Sequence, residues 1–180
     1  MKNKPILIVG GEPKSIFFEI LFKSIKIKNF KNPIILICCK KNLQQQMKRF
    51  NFKKKIKLLM IDDLKNLKLD NRQLNLIHVE LKKSSNKKFN LQLSKNYITQ
   101  TFTIAFKLLK TGFSNKLING PINKINFLNR KYLGITEYIA TRFKQKKVGM
   151  LIYNKELSVC PLTTHLPLKL VSKKITKKLI

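Results

Sequence analysis

Short runs of Ile, Leu and Val alternate along this chain with longer segments whose apolar residues recur at helical spacing. "PILIVGG" predicts a buried strand running into a glycine turn, and "SIFFEILFKSIK" behind it predicts a helix with Ser15 as its N-cap. "NPIILICC" predicts a second buried strand ahead of the polar, helix-favouring "KKNLQQQMKRF". "KIKLLMI" and "LNLIHVE" predict two more strands, with Asp62 and Asp63 in the turn between them. The strongest helical signal runs from Ser94 to Lys110, where Ile98, Phe102, Ala105 and Leu109 form one apolar stripe and Gly112 stands where a C-terminal glycine belongs. Beyond it "NKLIN" reads as a strand that hands over to a helix at "GPINK", and "TEYIATRFK" reads as a short helix. "VGMLIY" and "LSVC" read as strands about Asn154 and Lys155, and "PLKLVSKKITKKLI" begins a terminal helix.

Alternation of this kind predicts an α/β sandwich with a largely parallel sheet, whose ligand sites lie beyond the carboxyl ends of the strands. Gly10 and Gly11, the "GPINK" segment and "TTH" at 163–165 all fall at such ends. There is no internal repeat and no linker, so residues 1–180 read as a single α/β unit. The polar stretch "LKKSSNKKFN" reads as an exposed loop too short to separate domains.

Composition qualifies this picture without changing it. With 43% hydrophobic residues in 180, the chain can build a core. Its 39 Lys and Arg against 8 Asp and Glu give a formal charge of +31, which first suggests nucleic acid or another polyanion as partner. The lysines are scattered, however, and accompany abundant Asn and Ile, all encoded by A- and T-rich codons. Compositional bias is the favoured explanation; a nucleic-acid role would show as clustering on one face. Cys38, Cys39 and Cys160 have no C-x-x-C spacing, so a reduced, cytoplasmic protein is expected. "PILIV" is too short for a secretory core, and no apolar run approaches the roughly 18 residues of a membrane span.

Few residues could carry chemistry. A catalytic zinc needs three protein ligands and an open position, and the chain offers His165, His78 and a few carboxylates. A complete metal site within one copy is therefore not expected, and His78, within a strand, reads as structural. In "GPINK" a tight turn, a helix start with Pro121 near its first position and the Lys124 ammonium could hold an anion; the same pattern serves as a plain helix start. No G-x-G-x-x-G fingerprint, Ser-His-Asp or Cys-His arrangement is present, and no catalytic residue is assigned.

Taken in order, "VGGEPKSIFFEI", "GPINK", "GITEYIA" and "LSVCPLTTHLPLKLVSKKIT" resemble the N-terminal half of the 4-hydroxythreonine-4-phosphate dehydrogenase family of pyridoxal 5'-phosphate biosynthesis. The resemblance implies a fold similar to isocitrate and isopropylmalate dehydrogenases, incomplete here relative to the family, and a homodimer with its site in a cleft at the subunit interface. It also implies oxidation of 4-phosphooxy-L-threonine by NAD, with decarboxylation, assisted by a divalent metal such as zinc, magnesium or cobalt. By this resemblance His165 falls on the first of three metal-binding histidines, Thr136 on the substrate-binding threonine, and Gly134 and Glu137 on its neighbours. Lys124 would lie near the bound anion.

Two departures stand out. Ile135 occupies the place of the family's substrate-binding histidine, and two glycines of the first loop are replaced in "GEPKSIFFE", where Glu12, Pro13, Ile16 and Glu19 still fit. The other two metal histidines, further substrate-binding side chains and most of the NAD site belong to the family's C-terminal half. The expectation is thus a truncated product, a fragment, or one half of a split enzyme needing a complementing C-terminal chain. The alternative expectation is a non-catalytic basic domain that binds RNA or another polyanion; no membrane association is expected.

Overall fold

Three aliphatic runs can be buried on both faces and form the middle of one parallel sheet, flanked at its edges by two strands that are more exposed. In the computed structural model, which describes residues 4–64, 66–82, 90–128, 131–146, 148–163 and 166–177, these are β1 (Ile6–Val9), β2 (Ile34–Cys38), β3 (Ile56–Leu58), β4 (Leu74–His78) and β5 (Lys116–Asn119). The order across the sheet is β3-β4-β2-β1-β5, and every pairing is parallel. β2, at the centre, is buried throughout. The helices are α1 (Phe17–Ile27), α2 (Lys40–Arg49), α3 (Leu91–Lys110), α4 (Lys124–Leu128), α5 (Ile135–Arg142) and α6 (Leu168–Lys174). The α/β fold with a parallel sheet is as the residue pattern predicts.

Contacts divide the chain into two compact units, Met1–Phe127 and Leu128–Ile180. In the first, α1 and α2 cover one face of the sheet. Phe18, Leu21 and Phe22 of α1 join Ile8, Ile34, Leu36, Leu74 and Leu76 of the strands in a single apolar cluster, with Phe22 stacked on Phe52 at 4.4 Å between ring centroids. The long helix α3 packs against β1 and β2. It buries Tyr97, Ile98, Thr101, Phe102, Ala105, Phe106 and Leu108. Its buried stripe ends on Leu108 rather than on the expected Leu109, which is half-buried.

Several element boundaries differ from expectation, each for a local reason. Ser15 does not cap α1: the N-cap is Ile16, and the Ser15 hydroxyl accepts only from the Phe17 N–H at 3.4 Å, a local turn. Helix α3 begins three residues before Ser94 because the Asn90 side chain accepts from the Leu93 N–H at 3.1 Å. Pro121 is not at the start of a helix. The chain stays outside any helix as far as Asn123, whose side chain accepts from the Asn126 N–H at 3.1 Å and so starts α4 at Lys124. Among the described residues the two strands expected in 148–160 reduce to one antiparallel bridge, Ile152 to Val159. Among the described residues no helix is long and apolar enough to cross a membrane.

A few buried polar contacts join strands, loops and helix ends. Asn75, 2% exposed, donates to the carbonyls of Ile34 and Asp70 at 3.0 and 2.7 Å. The Tyr97 hydroxyl of α3 accepts from the N–H of Cys39, the N-cap of α2, at 3.0 Å. Burial pushes the Tyr97 phenol and the neighbouring Cys38 thiol far above their ordinary ranges, so both stay neutral. Removing the hydroxyl would leave a buried N–H without a partner. Tyr97→Phe should lower stability by about 1–3 kcal/mol, measured by urea unfolding; a midpoint equal to the parent would show that the hydroxyl does not serve this N–H.

Candidate functional site

At the carboxyl edge of the first unit's sheet, the loops leaving β1 and β5 come together backbone against backbone. Gly11 has φ +68°, and a Cβ there would stand 2.7 Å from the Gly120 carbonyl carbon and closer still to the Pro121 carbonyl oxygen. A Cβ on Gly120 would in turn stand 2.7 Å from the Gly10 carbonyl carbon. No side chain fits at either place, because the obstructing atoms are backbone. The contact is closed by hydrogen bonds from the Gly120 N–H to the Val9 carbonyl and from the Glu12 N–H to the Pro121 carbonyl, both 2.8 Å.

The Glu12 carboxylate gathers this edge. One oxygen accepts from the hydroxyl of buried Ser94 on α3 at 2.7 Å, and the other accepts from the Asn123 N–H at 3.4 Å. Asn42 of α2 donates to the Pro13 carbonyl at 3.1 Å. The β1 loop, the start of α3, α2 and the segment leading into α4 therefore meet around one half-buried acid. Sequence reasoning matched Glu12 to a family motif but could not see Ser94 or Asn42 as its neighbours, since they come from distant segments. Lys124 is the first residue of α4 and is exposed.

His78 lies at the last position of β4. Its Nδ1 accepts from the Lys40 N–H at 3.1 Å, so Nε2 carries the hydrogen shared with Glu80 at 3.1 Å. The ring thus satisfies one of the free N–H groups at the start of α2, a structural task.

In the second unit, Gly134 is the extended N-cap of α5, and Ile135, Thr136 and Glu137 form its first turn. Ile135 and Thr136 are half-buried. Glu137 Oε2 is buried and has no hydrogen-bond partner among the described residues; a Cβ on Gly134 would come within 2.9 Å of it. An acceptor left in this state, at a helix N-terminus beside a hydroxyl-bearing residue, is the most evident opening for a polar group in this unit. His165 lies outside the described residues. Among the described residues no group of three or more His, Cys, Asp or Glu could hold a metal ion.

Replacing Gly11 or Gly120 by Ala should destabilise the protein by about 3 kcal/mol or more in thermal or urea unfolding. Gly112→Ala, where φ is +72° but the space around is open, should cost only about 1 kcal/mol. Equal losses at Gly11 and Gly112, with little loss at Gly120, whose φ is not positive, would show that backbone strain, not the close approach, sets the requirement. For the acid, a double-mutant cycle of Glu12→Ala and Ser94→Ala should return a coupling of about 1 kcal/mol or more, and strict additivity would remove Glu12 as the joint.

The family described as pyridoxal phosphate biosynthetic protein PdxA matches residues 29–180. A 4-hydroxythreonine-4-phosphate dehydrogenase of Colwellia psychrerythraea is 28% identical over 176 residues, covering 95% of this chain and 52% of that protein. One from Citrobacter koseri is 37% identical over 86 residues, 47% of this chain and 26% of that protein. Among solved structures, the 4-hydroxythreonine-4-phosphate dehydrogenase of Burkholderia phymatum superposes with a TM-score of 0.79 at 20% identity, covering 98% of this chain and 55% of its own. That of Klebsiella pneumoniae gives 0.73 at 20% identity over the same shares. The chain spans about half the length of the Colwellia relative and of both solved structures. With the family matched over most of its length, and the fold shared, this chain belongs to the pyridoxal phosphate biosynthetic protein PdxA family.

Proposed function

We propose that this chain supplies the N-terminal half of a 4-hydroxythreonine-4-phosphate dehydrogenase, acting in the cytoplasm in the NAD- and metal-dependent oxidation and decarboxylation of 4-phosphooxy-L-threonine. The family match over residues 29–180 carries the proposal. In this reading the Thr136 hydroxyl bonds the substrate from the first turn of α5. Lys124, in the first unit, is an exposed ammonium available to an anionic group. The unpartnered oxygen of Glu137 supports a polar ligand at the same turn. Ile135 offers no hydrogen bond, so the substrate is held there with one polar contact fewer than a histidine would give.

His165 would be one ligand of a divalent metal whose chemistry is to polarise the reacting oxygen. The described residues do not by themselves make a three-ligand set. No catalytic step is therefore assigned to the metal within this chain. The remaining ligands and most of the NAD site are proposed to come from a C-terminal half, with the assembled enzyme a homodimer.

Exposed apolar surface supports such a completion. In the first unit a groove of about 580 Å3 runs between α1 and the edge strand β5, lined among others by Ile6, Ile8, Ile20, Phe30 and Ile118. In the second, Leu151, Ile152, Tyr153 and Leu157 are each more than 60% exposed. Apolar surface on this scale marks a face that is normally covered.

The test is to join this chain to the C-terminal half of the Colwellia relative and follow NADH formation from 4-phosphooxy-L-threonine with and without divalent metal. Metal-dependent turnover is expected, falling by about 100-fold or more in His165→Ala, with Thr136→Ala raising KM. Ile135→His should lower KM. Undiminished turnover in His165→Ala would overturn the metal assignment. A folded fusion that binds neither substrate nor NAD would overturn the enzyme reading.

A further inference from the structure

At the amino edge of the same sheet, opposite the loops around Glu12, lies a shallow cleft of about 570 Å3 lined by Lys26, Lys53, Lys54, Lys55 and Arg72, together with Ile25, Phe52 and Gln73. Its cations come from three separate places in the chain. Lys26 is in the last turn of α1, Lys53 to Lys55 lead into β3, and Arg72 leads into β4. A narrower recess sharing Lys54 and Gln73 extends the cleft to Lys28. The fold thus gathers into one concavity charges that are scattered in the sequence.

Among the described residues no carboxylate lines this cleft. Asp70, beside the cleft, is taken by Arg72 at 2.7 Å, and its hydrogen bonds from Arg72 hold the carboxyl below its ordinary range. Even so paired, the Arg72 side chain is 87% exposed. Among the described residues Lys26, Lys53, Lys54 and Lys55 have no ion pair; Lys26 rests 6.0 Å from the ring centre of Phe52. Helix dipoles explain part of the charge, since Lys26 in α1 and Lys48 and Arg49 in α2 sit in final turns. They do not explain Lys53 to Lys55, which belong to no helix. Three consecutive exposed or half-exposed lysines beside two further cations repel one another, and an occupant with matching negative charge would relieve that repulsion.

The occupant's chemistry follows from what the cleft lacks. Phe52 is buried and stacked on Phe22, so the cleft offers no face on which a base could stack, and its exposed groups are ammonium and guanidinium donors suited to phosphate oxygens. We propose that this cleft binds the phosphate backbone of nucleic acid without regard to sequence, at a surface separate from the carboxyl-edge loops. The proposal does not depend on the enzyme reading.

Binding of a labelled single-stranded RNA oligonucleotide would be measured by anisotropy across a salt series. The charge-neutralised cleft variant Lys26→Gln/Lys53→Gln/Lys54→Gln/Lys55→Gln is compared with a charge-matched control, Lys68→Gln/Lys107→Gln/Lys116→Gln/Lys155→Gln. Each lost phosphate contact removes about 0.7 from the slope of log affinity against log salt. The cleft variant should lose between about 2 and 3 of slope and bind about tenfold or more weakly, while the control stays near the parent. Equal losses in both variants would mean that affinity follows total charge, and the site would be overturned. Competition by inorganic polyphosphate but not by polyglutamate is expected; polyglutamate competing equally at equal charge would overturn phosphate recognition. Acetylation footprinting of the unaltered protein gives an independent readout, with bound RNA expected to protect Lys53 to Lys55. Absence of protection under saturating RNA would likewise overturn the assignment.

Discussion

The close approach of the β1 and β5 loops is the constraint on which the first unit depends. Gly11 and Gly120 bring two backbones so near that neither position has room for a Cβ. That proximity aligns the carboxyl ends of β1 and β5 and sets the Pro121 carbonyl to receive the Glu12 N–H. Glu12 then reaches Ser94 and the Asn123 N–H, so the beginning of α3 and the approach to α4 are placed by the same contact. In parallel α/β sheets this edge is where ligands bind, and here it is built from backbone and one acid rather than from a cluster of catalytic side chains.

The two ends of the sheet differ in chemistry. The carboxyl edge holds a carboxylate engaged on both oxygens, whereas the amino edge holds a cationic cleft with no lining carboxylate among the described residues. The helices contribute to this polarity, because the C-terminal turns of α1 and α2 carry basic residues. Between the edges the core is conventional: α1, α2 and the strands share one apolar cluster, and α3 packs on β1 and β2. Apolar side chains are exposed beside β5 and in the second unit.

Much of the architecture was legible because burial imposes periodicity. The strand runs around Leu7, Leu36 and Leu76 were plain from their uninterrupted aliphatic character, and α3 from Ile98, Phe102 and Ala105. Boundaries were less legible, since they turn on single side chains. Ser15 and Asn90 are both credible caps by residue type, yet only Asn90 reaches the N–H it would satisfy. Pro121 resembles a helix starter, but its carbonyl is committed to Glu12 and the chain cannot turn there. The strands expected in 148–160 illustrate the opposite case: their propensity is real, but a ladder needs partners, and among the described residues only Ile152 and Val159 pair there.

By itself the sequence determined the class of fold, the number and order of the strands in the first unit, and, through the ordered motifs from Gly10 to Leu168, the family resemblance. These follow from local composition and spacing, which any reader of the chain can see. Tertiary structure alone decided that Gly11 meets Gly120 and Pro121, that Glu12 pairs with Ser94, that His78 serves the start of α2, and that Lys26, Lys53 to Lys55 and Arg72 share one cleft. Each of these joins residues from different segments, and such contacts depend on the crossover connections that bring strand ends together, a property of the folded sheet that no local stretch encodes.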